Sequence, residues 1–336
     1  MRANGTRPRF ARVAWSTVFV SAFVSTAPCD AAAGRWKPEQ NVEIIIPTSP
    51  GTGSDATGRW IQRLLGEKKL VDASMTVVNK SGGATALATA YLNQHPGNGH
   101  YVMVTTISLL TSHITGATKL TYTDTTPLAQ IGTESVVSVV RADSRFKSAR
   151  ELADAFKANP AGITVAFANS LGNHNHIAAA QLAKGAGANV KQMKVVVFNG
   201  SGEAVTALLG GHVDVVTISA SPVLQHVIAG KVRILAVSAT QRLPGLLSSV
   251  PTWKELGIAS VSSNWRSVVG PRGMTEDQIA YWDDVFSKLV QLPEWKQDME
   301  KKLVENTYLN ARDTKQLMDT EYAELSKLLG ELGLAK

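Results

Sequence analysis

Short apolar runs alternate with helix-period stretches along most of this chain. The runs at residues 42–46, 75–78, 101–105, 136–140, 163–166, 194–197, 213–218 and 233–237 have the length of strands. Gly, Pro and Asn bound many of them, as turn chemistry requires. Between the runs lie amphipathic segments. Residues 55–65 bring Trp60, Ile61, Leu64 and Leu65 to one face of a 3.6-residue repeat, which predicts a helix there. Further helices are predicted over residues 85–93, 149–159, 175–184, 202–209 and 222–229. Pro160 stops one of them, and Gly210-Gly211 and Gly230 follow two others, where a helix C-terminus favours positive φ. The alternation predicts an α/β fold. The final third differs: residues 275–290, 294–304 and 313–332 read as three successive helices, a tail expected to pack back onto an earlier part of the fold.

The N-terminal residues fit none of this patterning. Arg2, Arg7, Arg9 and Arg12 precede an apolar stretch over residues 13–27, and Ala31-Ala32-Ala33 follows. That order predicts a secretory signal over residues 1–33 and a periplasmic mature protein. Cys29 is the only cysteine, and Pro28 before it argues against a lipid anchor. Cleavage leaves no disulfide chemistry. A chain of this size buries a large core without covalent staples. The formal charge of +7 includes the four leader arginines and Asp30; without them 30 basic and 26 acidic residues leave +4. The basic residues are scattered, so no nucleic-acid partner is expected.

Four loops are alike in composition and placement, at residues 47–55, 79–84, 168–174 and 198–202. Each follows a predicted strand, opens a predicted helix and is rich in Gly, Ser, Thr or Asn, with Lys80 the one basic residue in the four. Strand-end loops line the ligand crevice of open α/β sheets. Helix N-termini carry unpaired N–H groups and a positive dipole end, so converging ones hold an anion through neutral donors. A hydrogen bond to a charged group contributes roughly 1.5–3 kcal/mol. Three or four then reach micromolar affinity, about −8 kcal/mol. Glycine and asparagine that merely make turns are the plain alternative. Asp55 reads either as a helix N-cap or as a receiver for a ligand's ammonium or hydroxyl group. His174 and His176 stand two apart, so they point to different helix faces and do not chelate a metal together. Gly51-Thr52-Gly53 matches a dinucleotide fingerprint only faintly, and no acidic residue ends a second strand at the expected distance. No nucleophile-elbow or zinc-protease motif occurs. The residues predict no enzyme activity, no cofactor and no metal.

Taken in order, these motifs resemble a known family. Pro47-Thr48-Ser49-Pro50-Gly51-Thr52-Gly53-Ser54-Asp55 follows the first strand. Val77-Val78-Asn79-Lys80-Ser81-Gly82-Gly83-Ala84 comes next. Phe198-Asn199-Gly200, Leu208-Leu209-Gly210-Gly211-His212-Val213-Asp214 and Val250-Pro251-Thr252-Trp253-Lys254-Glu255-Leu256-Gly257 succeed them, with residues 265–273 last. The chain resembles the Bug-type periplasmic solute receptors of tripartite tricarboxylate transport systems. It departs from their pattern at Thr52, which stands at the usual second glycine, at the small polar pair Thr48-Ser49, and in the shortened turn 81–84.

The resemblance implies a two-lobed periplasmic binding protein of type II, the Venus-flytrap arrangement, with two crossing strands as hinge. Lobe one would hold residues 34–139 and 236–336, and lobe two residues 140–235. The implied function is capture of a small organic carboxylate between the lobes for uptake by membrane transporter subunits. The alternatives are a ligand module for a membrane sensor kinase or a secreted hydrolase. A monomer is expected. The candidate ligand-binding residues are Thr48, Ser49, Gly53, Ser54, Asp55 and Ser108 in lobe one, and Asn169, Gly172, Asn173, His174 and Ser219 in lobe two. Backbone N–H groups of Gly53, Ser54, Gly172 and Asn173 would hold the carboxylate. Asp55, Asn169 and His174 would discriminate what it carries, while Trp265 would serve in lobe packing.

Overall fold

Three strand–helix units open the fold: β1 (Val42–Ile46) with α1 (Gly53–Glu67), β2 (Met75–Asn79) with α2 (Ala86–Leu92), and β3 (Tyr101–Thr105) with α3 (Ser108–Ile114). β1 lies between β2 and β3, parallel to both and largely buried, which is why it reads as an apolar run interrupted only by Glu43. A Cβ on Gly58 would come within 2.3 Å of Ile46 Cδ1, so glycine is what lets α1 lie this close to β1. In the computed structural model the described residues are 1, 2, 5, 36–168 and 170–336. The body of the expected signal segment, Cys29 and Asn169 lie outside them.

The chain then runs through β4 (Thr125–Arg141), α4 (Ala149–Ala158), β5 (Thr164–Ala168), α5 (His174–Gly185), β6 (Lys194–Phe198), α6 (Ser201–Leu209), β7 (Val215–Ser219), α7 (Leu224–Ile228) and β8 (Val232–Ser238). It ends with β9 (Ser263–Pro271), α8 (Glu276–Leu289), α9 (Pro293–Lys301), β10 (Val304–Glu305) and α10 (Ala311–Glu331). The strand order is β2-β1-β3-β9-β4-β7-β5-β6, with β8 and β10 also on β4.

β4 is shared by two halves of this sheet. Its first part pairs antiparallel with β9 and β10, and its second part with β7 and β8. Two crossings join the halves: β4 itself, and the segment 239–262 leading from β8 into β9. The second crossing is strand, loop and strand rather than one continuous strand.

The register fixes where the strand ends meet. Thr105, the last residue of β3, faces Ser267, which faces Gln130 on β4. Ser219, the last residue of β7, faces Val136 on β4. The C-terminal ends of the parallel strands in both halves therefore converge on residues 130–136. That stretch is about 20 Å long at the usual strand rise. By the strand-end rule it borders the crevice.

Among the described residues four apolar cores surround the sheet. α1, α8 and α9 cover one face of the first half, burying Trp282 and Trp295. The other face holds α3 and α10 around Trp265, and Ile177 and Ala180 of α5 join them. α4 and α5 pack on the second half with Trp253, and α6 packs on its opposite face with Leu243 and Leu247.

The apolar runs place β1 and β3 at their observed bounds, shorten β2, β6 and β8 by one or two residues, and begin and end too early for β5 and β7. They miss β9, β10, α3 and the first part of β4. Residues 125–135 carry Pro127 and Gly132, two register shifts, and buried Gln130 and Ser135, so no period of two survives. β9 likewise carries buried Asn264, Arg266 and Ser267.

Candidate functional site

The first loop is braced from within. Gly51 takes φ +84°, and Thr52 is the N-cap of α1 with φ −79° and ψ 167°, an extended conformation that suits threonine. The Thr52 hydroxyl donates to the Ser49 carbonyl at 2.9 Å and accepts from Asp55 N–H at 3.4 Å. With its one proton so placed, it accepts from the Thr48 hydroxyl, 2.5 Å away. Threonine at this position closes the loop on itself.

Asp55 is not the cap, because the helix starts two residues earlier than the sequence suggests. Its carboxylate is buried and accepts from Gly51 N–H (2.9 Å), Arg59 Nε (3.0 Å) and Asn79 Nδ2 (2.9 Å). The Arg59 hydrogen bond, opposed by burial and helped by Gly51 and Asn79, lowers its pKa to about 2. The group is therefore ionised and engaged inside the fold. Asn79 also donates to the Thr48 carbonyl at 2.9 Å, tying the second loop to the first.

That second loop is strained. Gly82, Gly83, Ala84 and Thr85 all have positive φ, from 48° to 133°. For a β-branched residue such as Thr85 this is a rare conformation. The Ser112 hydroxyl of α3 holds it, donating to the Ala84 carbonyl. Lys80 lies 4.0 Å from the Tyr91 ring centroid and stacks there as a cation–π pair.

The N–H groups of Gly53 and Ser54 differ from these saturated partners. They are the first two of α1, have no intrahelical acceptor, and meet none among the described residues. The hydroxyls of Ser49, Ser54, Ser108 and Ser219 make no hydrogen bond among the described residues. Ser219 ends β7 at the level of Val136, and Ser108 opens α3 just past the end of β3.

The α5 end is more occupied than the sequence suggests. Gly172, with φ +80°, gives its N–H to His176 Nδ1 at 3.0 Å. Asn173 is the N-cap, accepting from His176 N–H at 3.0 Å and donating to the Ala168 carbonyl at 2.5 Å. The expected backbone donors thus separate: Gly53 and Ser54 are open, Gly172 is taken, and Asn173 N–H reaches the Ser170 carbonyl at 3.5 Å. His176 is buried and stacks on Phe167, and burial pushes its pKa down to about 4. His174 is half-buried and also shifts down to about 4, through burial, with Glu134 raising and Arg266 lowering it. Both imidazoles are neutral at pH 7.

Glu134 and Arg266 are residues that the sequence pattern does not single out. Arg266 stands on β9 opposite Gly132, one residue beyond the end of β3, and Asn264 faces Glu134. Arg266 is 8% exposed. It donates to the Gly53 carbonyl (3.0 Å), to the Thr57 hydroxyl and to Glu134 Oε2 (3.4 Å). Asn264 Nδ2 donates to the same Glu134 oxygen at 3.3 Å. Arg266 Nε and Asn264 Oδ1 are buried without partners among the described residues. The cluster brings the head of α1, the shared strand and His174 of α5 together. The only signal in the sequence is a pair of polar residues, Asn264 and Arg266, on the same strand face as the core residue Val268.

Among the described residues no helix is long and apolar enough to cross a membrane, and no group of acidic, His or Cys side chains has the makings of a metal site.

Comparison with known proteins agrees with this architecture. A protein from Pseudomonas sp. strain P51, encoded in the tcbD–tcbE intergenic region, is 29% identical over 262 residues, 76% of each chain. Protein BugT of Bordetella pertussis is 27% identical over 262 residues, 76% of this chain and 78% of its own. A TctC solute-binding protein from Polaromonas, solved without ligand, shares 26% identity with a TM-score of 0.75, covering 88% of this chain and 99% of that one. Two Rhodopseudomonas palustris structures share the fold: Rpa4515 with adipate (21% identity, TM-score 0.74, covering 89% and 99%) and MatC with malate (20%, 0.70, 87% and 99%). The family model described as tripartite tricarboxylate transporter family receptor, TctC, matches residues 61–334. The chain has the fold of a two-lobed periplasmic binding protein, it is not an enzyme, and it belongs to the TctC, or Bug-type, family of solute-binding receptors.

Proposed function

We propose that this protein captures a small organic carboxylate in the periplasm and delivers it to the membrane subunits of a tripartite tricarboxylate-type transporter. The observation that carries this reading is the open pair of N–H groups, Gly53 and Ser54, at the head of a 15-residue helix whose loop is braced by Thr48, Thr52 and Asp55. Oriented neutral donors and the helix dipole suit a carboxylate. The adipate and malate bound by the two structural neighbours are in keeping with it. The free hydroxyls of Ser49, Ser54, Ser108 and Ser219, with neutral His174, would read the rest of the ligand. The leader over residues 1–33 would direct export, and the mature receptor would act as a monomer.

Lobe two would begin within β4, where Val136 first pairs with β7. Leu243 and Leu247 pack with the second half of the sheet, as do Trp253 and Ile258. On this packing lobe two would extend past Leu235 to about Ile258. Closure over the ligand would shift a two-state equilibrium through differential binding to the closed form.

A thermal-shift screen of small mono- and dicarboxylates, amino acids, neutral amides and nucleotides tests the proposal. A cognate carboxylate at a hundred times its Kd adds about 2.7 kcal/mol, roughly 5 °C in a chain of this size. A shift with amides or nucleotides and none with carboxylates would sink it.

A further inference from the structure

We infer that Arg266 supplies the positive charge of the anion site through a peptide bond, and that Glu134 tunes it. This rests on the reading of the α1 head as the carboxylate site. The first loop contains no basic residue. Arg266, 213 positions away in sequence, donates to the Gly53 carbonyl at 3.0 Å. That carbonyl belongs to the same peptide unit as the open Ser54 N–H. A cationic donor on the oxygen polarises the unit and makes its N–H a stronger donor. Burial of the guanidinium keeps this interaction from being screened as a surface charge would be.

Arg266 also positions the donor, because its contacts with the Gly53 carbonyl and the Thr57 hydroxyl pin the first turn of α1. It is a positioning residue rather than a direct ligand contact. Glu134 shares the charge of Arg266 at 3.4 Å from the opposite side, on the strand common to both halves of the sheet. A carboxylate entering the site meets a cation already partly offset by an anion. That arrangement favours a singly charged carboxylate end over a cluster of negative charge, and it limits how tightly the ligand is held. His174 contributes no charge at neutral pH, and the nearby ionised Asp55 is itself paired with Arg59 at 3.0 Å.

The two charges predict opposite signs, which a purely structural brace does not. Glu134→Gln keeps an acceptor oxygen for Arg266 and Asn264 but removes the offsetting charge. It should tighten carboxylate binding about three- to tenfold and steepen its salt dependence. Arg266→Met should weaken binding roughly ten- to thirtyfold, and more for a dicarboxylate than for its monomethyl ester. Titration calorimetry on wild type and both variants, with a carboxylate found by the thermal-shift screen and its monoester, measures these changes at two salt concentrations. If Arg266→Met folds poorly, Glu134→Gln alone decides. Tighter binding with a changed diacid-to-monoester ratio supports the inference. Weaker or unchanged binding in Glu134→Gln, with the ratio unmoved, overturns it and leaves the carboxylate reading intact. Failure of wild type to bind any carboxylate overturns both.

Discussion

Replacing Asp55 by asparagine separates a brace from a ligand contact. The carboxylate takes three donors from within the fold, and its pKa falls from 3.8 to about 2. A shift of nearly two units corresponds to about 2.5 kcal/mol at neutral pH. Arg59, the largest cause, has a side chain 52% exposed, so solvent screening reduces that to about 1–2 kcal/mol. The folded-state pKa lies below the unfolded one. The contribution is therefore complete above the unfolded value near 3.8 and is lost as pH falls towards 2. Asp55→Asn should lower the urea midpoint at pH 7 by about 0.5 M for a slope near 3 kcal/mol/M. The gap between wild type and variant should narrow as pH falls from 5 to 3, because wild type then loses the same charge. Taking the difference at each pH cancels the titration of all other groups. A gap of constant size from pH 7 to pH 3 would show that shape, not charge, is at work. An unchanged midpoint with weakened ligand binding would refute the brace outright and return Asp55 to the site.

Two further expectations follow from buried and half-buried ionisable groups. Glu321 accepts from Trp265 Nε1 at 2.6 Å, yet burial, aided by Glu324, raises its pKa to about 7. An acid whose folded pKa is raised loses stability between its unfolded pKa and its folded one. Glu321→Gln should therefore match wild type near pH 4 and exceed it by about 1–3 kcal/mol at pH 8 in urea unfolding, whereas equal stability at pH 8 would mean that the carboxylate is well solvated. His174 and His176 should titrate near pH 4 by NMR of their ring protons, with no inflection between pH 6 and 7. An ordinary midpoint for His176 would contradict its neutral acceptor role toward Gly172 N–H.

The parts of this fold that sequence reveals are those where burial is uniform. β1 and β3 are central strands, their runs are apolar apart from Glu43 and the terminal Thr105, and their bounds can be read directly. The first loop reveals itself through Gly51 and the helix that follows. The reading fails where the two halves of the sheet meet. There Gln130, Ser135, Asn264, Arg266 and Ser267 are buried polar residues inside strands, and they erase the alternation that marks a strand. The same residues occupy the stretch of β4 and β9 on which the strand ends converge. Arg266 and Asn264 offset part of their desolvation cost with partners that lie far away in sequence: Gly53 with Arg266, and Glu134 with Asn264. No local pattern can report a contact across 213 positions. Local pattern does report its own interruption, and in this chain the interruption coincides with the convergence of the strand ends. Asp55 and Asn173 illustrate the converse. Their residue types suggest ligand contacts, but the Asp55 carboxylate and the Asn173 side chain are each saturated by bonds within the fold, most of them short-range. In a site of this kind the residues free to act are those that the fold leaves without partners, and only the folded geometry distinguishes the open Ser54 N–H from the taken Gly172 N–H.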